Sequence, residues 1–123
     1  MMCVSIRNNT RDRIVGDRIR VADRTWTRLR GLLGSPEPGE GEGLVIVPSR
    51  AVHMFGMRFP LDVIFLDREG QAVAVYPGLA PGQKTRYHRD ARLAIEVGIG
   101  TIERTQTRLG DRFEWIANGE VRS

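Results

Sequence analysis

Apolar and polar positions alternate with period two along much of the chain, the spacing of β-strands, because successive side chains on a strand point to opposite faces. The clearest case is LDVIFL at 61–66. Leu61, Val63 and Phe65 share one face; Asp62, Ile64 and Leu66 share the other. Both faces are largely apolar, so this strand belongs inside the fold and not at an exposed edge. Pro60 suits a strand's start and biases Phe59 toward extended geometry. Asp62 is the exception. A buried carboxylate needs donors, here backbone N–H groups or an arginine such as Arg30 or Arg58, and in that role it locks a helix or loop to the sheet.

Val4 and Ile6, alternating with Ser5 and Arg7, predict a short first strand, followed by the turn residues Asn8-Asn9-Thr10. Ile14-Val15 and then Ile19 and Val21 predict a second strand or hairpin, interrupted by Gly16-Asp17, with Arg18 and Arg20 on its wet face. The period then changes. Trp26, Leu29 and Leu33 recur at helical spacing with Leu32 beside them, Asp23 fits the N-cap, and Gly34 with Pro36 ends the run. Residues 35–43, SPEPGEGEG, predict a flexible loop, and residues 44–47 a short apolar strand.

Asp67-Arg68-Glu69-Gly70 has the composition of a type I turn closed by glycine at positive φ, which makes 61–66 and 71–76 a hairpin that Pro77 terminates. Leu93, Ile95 and Val97 alternate with Ala94 and Glu96 in a further strand. A short helix at 101–107 and a last strand with Phe113 and Trp115 on one side complete the chain. The pattern predicts an α+β, mainly antiparallel single domain over 1–123: a Greek-key-like sandwich or partly open barrel with one main helix and one short helix.

The chain's 123 residues suffice for one ordinary core. The lone Cys3 excludes an internal disulfide framework and a cysteine-built metal site. No secretory signal and no membrane-length apolar run is visible, so a cytoplasmic location is expected. The net charge of +4 comes from eighteen arginines and Lys84 against fifteen acids. Along the sequence the two signs are interspersed, so the composition points away from nucleic acid as a partner.

Three kinds of chemistry compete. A hydrolase-type site would use His53, Asp62 and Glu96, a near-neutral titrating group beside two carboxylates that burial can shift. No nucleophile motif or phosphate-cradling loop accompanies them. A soft-metal site for Cu(I) would use His53, Met54 and Met57, although methionines more often fill core gaps and Met54 would point away from His53 on a strand. The preferred reading is a non-enzymatic domain that binds a small anionic ligand or a protein partner through loop 53–60 and Asp62. His53, Met57, Arg58, Asp62, Arg30 and Glu96 are its candidate residues, with Arg28, Arg50 and Arg86 as further anion contacts. No cofactor is expected.

The order Arg30-Gly31-Leu32-Leu33-Gly34, then His53-Met54-Phe55-Gly56-Met57-Arg58-Phe59-Pro60-Leu61-Asp62-Val63-Ile64-Phe65-Leu66-Asp67, then Leu93-Ala94-Ile95-Glu96-Val97-Gly98, then Leu109-Gly110-Asp111 resembles the prokaryotic family called domain of unknown function 192. Its most specific part is Met57, Pro60, Leu61, Asp62, Val63 and Phe65. Phe55-Gly56 and Arg58-Phe59 stand where many members carry a tryptophan and an asparagine-threonine pair, so the chain looks like a divergent subgroup. The resemblance implies a compact, mainly β domain with short helices and no established activity.

Overall fold

The computed structural model describes residues 3–22 and 36–117. The chain runs β1 (Cys3–Asn8), β2 (Arg13–Ala22), β3 (Glu42–Ile46), β4 (Leu61–Leu66), β5 (Ala72–Leu79), β6 (Leu93–Val97), α1 (Thr101–Thr105) and β7 (Phe113–Ala117). The seven strands form a single sheet in the order β5-β4-β6-β3-β2-β1-β7. Every neighbouring pair is antiparallel except β2 with β3. A parallel pair needs a crossover connection from the end of β2 to the start of β3. The sheet curls into a half-barrel. One end is drawn together by an isolated bridge between Gln71 and Arg112, next to β5 and β7, the two edge strands. Of the two architectures the pattern allows, a single curled sheet is the partly open barrel.

Two cores result from burying both faces. Val4, Ile6, Val15, Ile19, Val45, Ile64, Leu66, Ile95, Ile102 and Phe113 form the first. It draws on strands at both ends of the sheet, so it fills the concave side, and α1 adds Ile102 to it. The second, on the convex side, contains Leu44, Ile46, Val52, Met54, Leu61, Val63, Phe65 and Ala94. β4 is buried at all six positions, with neighbours on both sides, as its two apolar faces require.

A buried polar cluster joins the first strand to the turn before the last. Asp111 accepts from Asn8 Nδ2 at 2.9 Å, from Arg11 Nε at 2.9 Å and from the Arg108 backbone N–H at 2.9 Å. Burial alone would raise its pKa, but these donors hold the carboxyl below its ordinary value.

The main helix expected from Asp23 to Gly34, with Arg28 and Arg30, lies outside the described residues. Several other expectations are corrected. The loop expected over 35–43 is too long, since Glu42 and Gly43 already belong to β3, aligned with Arg18 and Ile19 of β2. Gly43 stands there because β6 passes close: a Cβ on it would meet the Glu96 carbonyl oxygen at 2.4 Å and Val97 Cγ1 at 2.7 Å. β5 does not stop at Pro77 but continues to Leu79. As an edge strand it can hold a proline without losing a ladder bond, and an irregularity in its pairing with β4 absorbs the extra residue. Residues 13–22 make one strand, the first of the two forms expected. The short helix ends at Thr105, where Gln106 turns left-handed at φ 58. Phe113 is buried, but Trp115 on the same side is 42% exposed at the open edge.

Candidate binding surface

Asp62 lies on the concave face and is 1% exposed. Its Oδ1 accepts the Gly78 N–H at 2.8 Å and its Oδ2 the Ile102 N–H at 2.8 Å. One carboxylate thus joins three elements: β4, the irregular end of β5 and the first turn of α1. Its partners are backbone groups and not Arg58, which is exposed in the 53–60 loop. Gly100, the N-cap of α1, has no side-chain oxygen, so Asp62 serves that helix end from across the fold.

Glu96 stands opposite Leu44 of β3 and Val63 of β4, which places it on the convex face, whereas Asp62 stands opposite Val97. It is 5% exposed and has no hydrogen-bond or ion-pair partner among the described residues. Burial pushes its carboxyl up to about 7. His53 is exposed at the surface, its Nδ1 accepting the Phe55 N–H at 3.3 Å. The supposed catalytic trio therefore does not converge: the sheet itself separates its two carboxylates. The supposed copper trio fails similarly, because Met54 is 1% exposed in the convex core while His53 projects to water. Met57 packs half-buried against that same core. Among the described residues no group of three or more histidine, cysteine, aspartate or glutamate side chains is arranged for a metal.

What the structure does assemble is a ribbon of two loops. His53 bridges Lys84 in antiparallel fashion. Met54 N–H donates to the Gln83 carbonyl at 2.7 Å, Thr85 N–H to the Val52 carbonyl at 2.9 Å and His88 N–H to the Arg50 carbonyl at 2.7 Å. The period-two rule then sorts the side chains. Val52, Met54 and Thr85 are buried; Ala51, His53, Lys84 and Arg86 are exposed. Between the last two hydrogen bonds one side advances three residues and the other two, a bulge that leaves both Arg86 and Tyr87 in solvent. Phe55 stacks on His53 with ring centroids 4.9 Å apart and planes at 27°. Phe55 is 55% exposed and Tyr87 64%.

The ribbon's charge is one-sided. Residues 50–59 and 83–90 hold Arg50, Arg58, Lys84, Arg86 and Arg89 against Asp90 alone, a surplus of four that equals the net charge of +4 on the whole chain. All five cations are exposed, and none has an ion-pair partner among the described residues. The ion pairs that do occur there join Arg7 to Asp12, Arg11 to Asp111, Arg18 to Asp17 and Glu42, and Arg104 to Glu40, all outside the ribbon. At its end the Tyr76 hydroxyl meets His88 Nε2 at 2.6 Å, with the imidazole 4.9 Å from the Phe65 ring. Burial, and then the charge of Arg86, lower the His88 pKa.

Loop 53–60, Arg50 and Arg86 were legible in the sequence. Lys84, Tyr87, Arg89 and the Tyr76–His88 pair were missed. The signal for them was present in Lys84-Thr85-Arg86-Tyr87-His88-Arg89, a basic run interleaved with aromatics inside a stretch that reads as merely irregular.

The sequence profile of domain of unknown function 192, described as an uncharacterized ACR, matches residues 5–115. The chain belongs to this family. A relative named UPF0127 protein, from Thermococcus sibiricus, is 29% identical over 121 residues, covering 92% of this chain and 75% of its own length. A crystal structure of a protein of unknown function from Novosphingobium aromaticivorans superposes with a TM-score of 0.78 at 22% identity, covering 92% of this chain and 84% of that one. A crystal structure described as that of a putative transcription regulator, from Sinorhizobium meliloti, gives a TM-score of 0.75 at 21% identity, covering 93% of this chain and 92% of that one. At these identities the structures share the fold, and family membership carries no activity with it. No described helix is long and apolar enough to cross a membrane.

Proposed function

We propose that this member of the family is a non-enzymatic binding domain whose 53–60 loop, together with the 83–89 segment paired to it, receives an anionic partner: an acidic segment of another protein or a small anionic ligand. The observation that carries this reading is the ribbon's surplus of positive charge: five exposed cations in two paired segments, none in an ion pair among the described residues, against Asp90 alone. Loops held on a rigid scaffold are the usual place for such contacts. The buried face of the ribbon, Val52 and Met54, fixes it to the convex core and keeps its cations turned outward. Asp62 contributes from behind by holding β4, which follows the loop, to α1 and β5. No observation favours hydrolysis over this reading.

An NMR titration of the labelled protein with polyglutamate tests it. Amide shifts concentrated at 50–59 and 83–89, fading as salt rises and lost in a Lys84→Glu, Arg86→Glu double variant, are the expected result. Shifts spread over other faces, or none at low salt, would reject it.

A further inference from the structure

We infer that the anion this ribbon receives is the backbone of a single-stranded nucleic acid in place of an acidic protein segment, its phosphates held by the cations and its bases stacked on the exposed rings; the inference rests on the reading above that the ribbon binds anions. In one dimension the arginines are diluted by acids, the usual reason to set nucleic acid aside. Folding reverses that. It brings two segments, 50–59 and 83–90, into one paired ribbon that carries five cations and the single acid Asp90. The result is a basic patch interleaved with aromatics, the arrangement that marks a nucleic-acid surface.

The aromatic groups decide between an acidic peptide and a nucleic acid. Carboxylates need only the cations. Phe55 and Tyr87 are more than half exposed and belong to neither core. The His53–Phe55 stack already presents a ring surface beside the charge of Lys84, and the bulge at 86–87 sets Arg86 and Tyr87 outward together. The ribbon thus sets exposed rings and cations side by side, which is how proteins hold unpaired bases and their backbone without reading sequence. A duplex hides its base faces and gives these rings no role.

The test measures fluorescence anisotropy of a labelled mixed-sequence RNA strand of about 12 nucleotides, with the matching duplex and a labelled polyglutamate as comparisons. The single strand is expected to bind most tightly, with log K falling against log salt at a slope no steeper than about −3.5, from about 0.7 for each of five cations. Phe55→Ala is expected to weaken the RNA complex by about five-fold or more and leave polyglutamate binding unchanged. Arg86→Glu is expected to weaken both. Both positions are exposed, and circular dichroism confirms that the variants are folded. Equal binding of strand, duplex and polyglutamate, with no effect of Phe55→Ala, would overturn the nucleic-acid inference and leave the anion-binding reading standing. Binding of none of the three would overturn both.

Discussion

Asp62 and Glu96 project from opposite faces of one sheet, although their strands are hydrogen-bonded neighbours: Asp62 stands opposite Val97, and Glu96 opposite Val63. The first carboxylate is saturated by two backbone donors; the second is buried with no partner among the described residues. They therefore behave differently under mutation.

Asp62→Ala leaves the N–H groups of Gly78 and Ile102 without their acceptor. Each costs about 1–3 kcal/mol if it stays buried, so the variant is expected to lose roughly 2–6 kcal/mol in urea unfolding. Asp62→Asn presents an amide donor to one of those donors and is expected to fall between. A loss below about 0.5 kcal/mol, the scale of a neutral surface change, would show that Asp62 does not join these elements.

Glu96 carries the opposite linkage. Its carboxyl is raised by burial from 4.5 to about 7, so between those values the folded state binds more protons than the unfolded state, and stability falls as pH rises. The loss is complete above about pH 7 and is on the order of 3 kcal/mol. His88 works against it. Its lowered pKa makes stability rise with pH until the unfolded histidine has lost its proton. Glu96→Gln keeps the shape and removes the titration, so its urea midpoint is expected to fall less than the parent's between pH 5 and pH 8. Parallel pH profiles for the two proteins would contradict the assignment.

Gly43→Ala is expected to destabilise by about 1–3 kcal/mol through overpacking, because the new methyl meets the backbone of Glu96 and the side chain of Val97. A thermal melt compares it with Gly39→Ala, whose Cβ would meet nothing nearer than Glu42 Oε1 at 3.5 Å. Equal melting temperatures would mean that β6 does not approach β3 so closely.

Cu(I) titration under anaerobic conditions is expected to show no stoichiometric site dependent on His53, since the imidazole and the Met54 thioether lie on opposite sides of the ribbon. A one-to-one complex lost in His53→Ala would reinstate the metal reading.

Much of this fold was legible where a side-chain pattern reports burial directly. The six residues of β4 show both faces apolar, and the turn at 67–70 joins it to β5 as its composition requires, with Gly70 at φ 81. The errors arose where pairing overrides local chemistry. Glu42-Gly43 reads as loop until two flanking strands claim it, and Pro77 reads as a stop until its strand proves to be an edge. The candidate surface was half legible. Spacing places Arg58 beside His53 in a loop, but only the His53–Lys84 bridge joins that loop to the basic run at 84–89. No local period encodes a partner thirty residues away. Asp62 was recognised as needing donors; that they are the N–H groups of Gly78 and Ile102 follows from the curl of the sheet.

The pairing of β1 with both β2 and β7 sets an order of events during synthesis. β2 leaves the ribosome directly after β1, whereas β7 is the last of the seven strands to be made, and Asn8 waits 103 residues for Asp111. Closing so long a loop adds little to its equilibrium cost but slows folding. Until 113–117 emerge, β1 offers one unpaired edge with Val4 and Ile6 beside it. The domain therefore completes its sheet only once its last strand has been made, and until then a nascent chain presents to its surroundings a template for strand addition that the folded domain has covered.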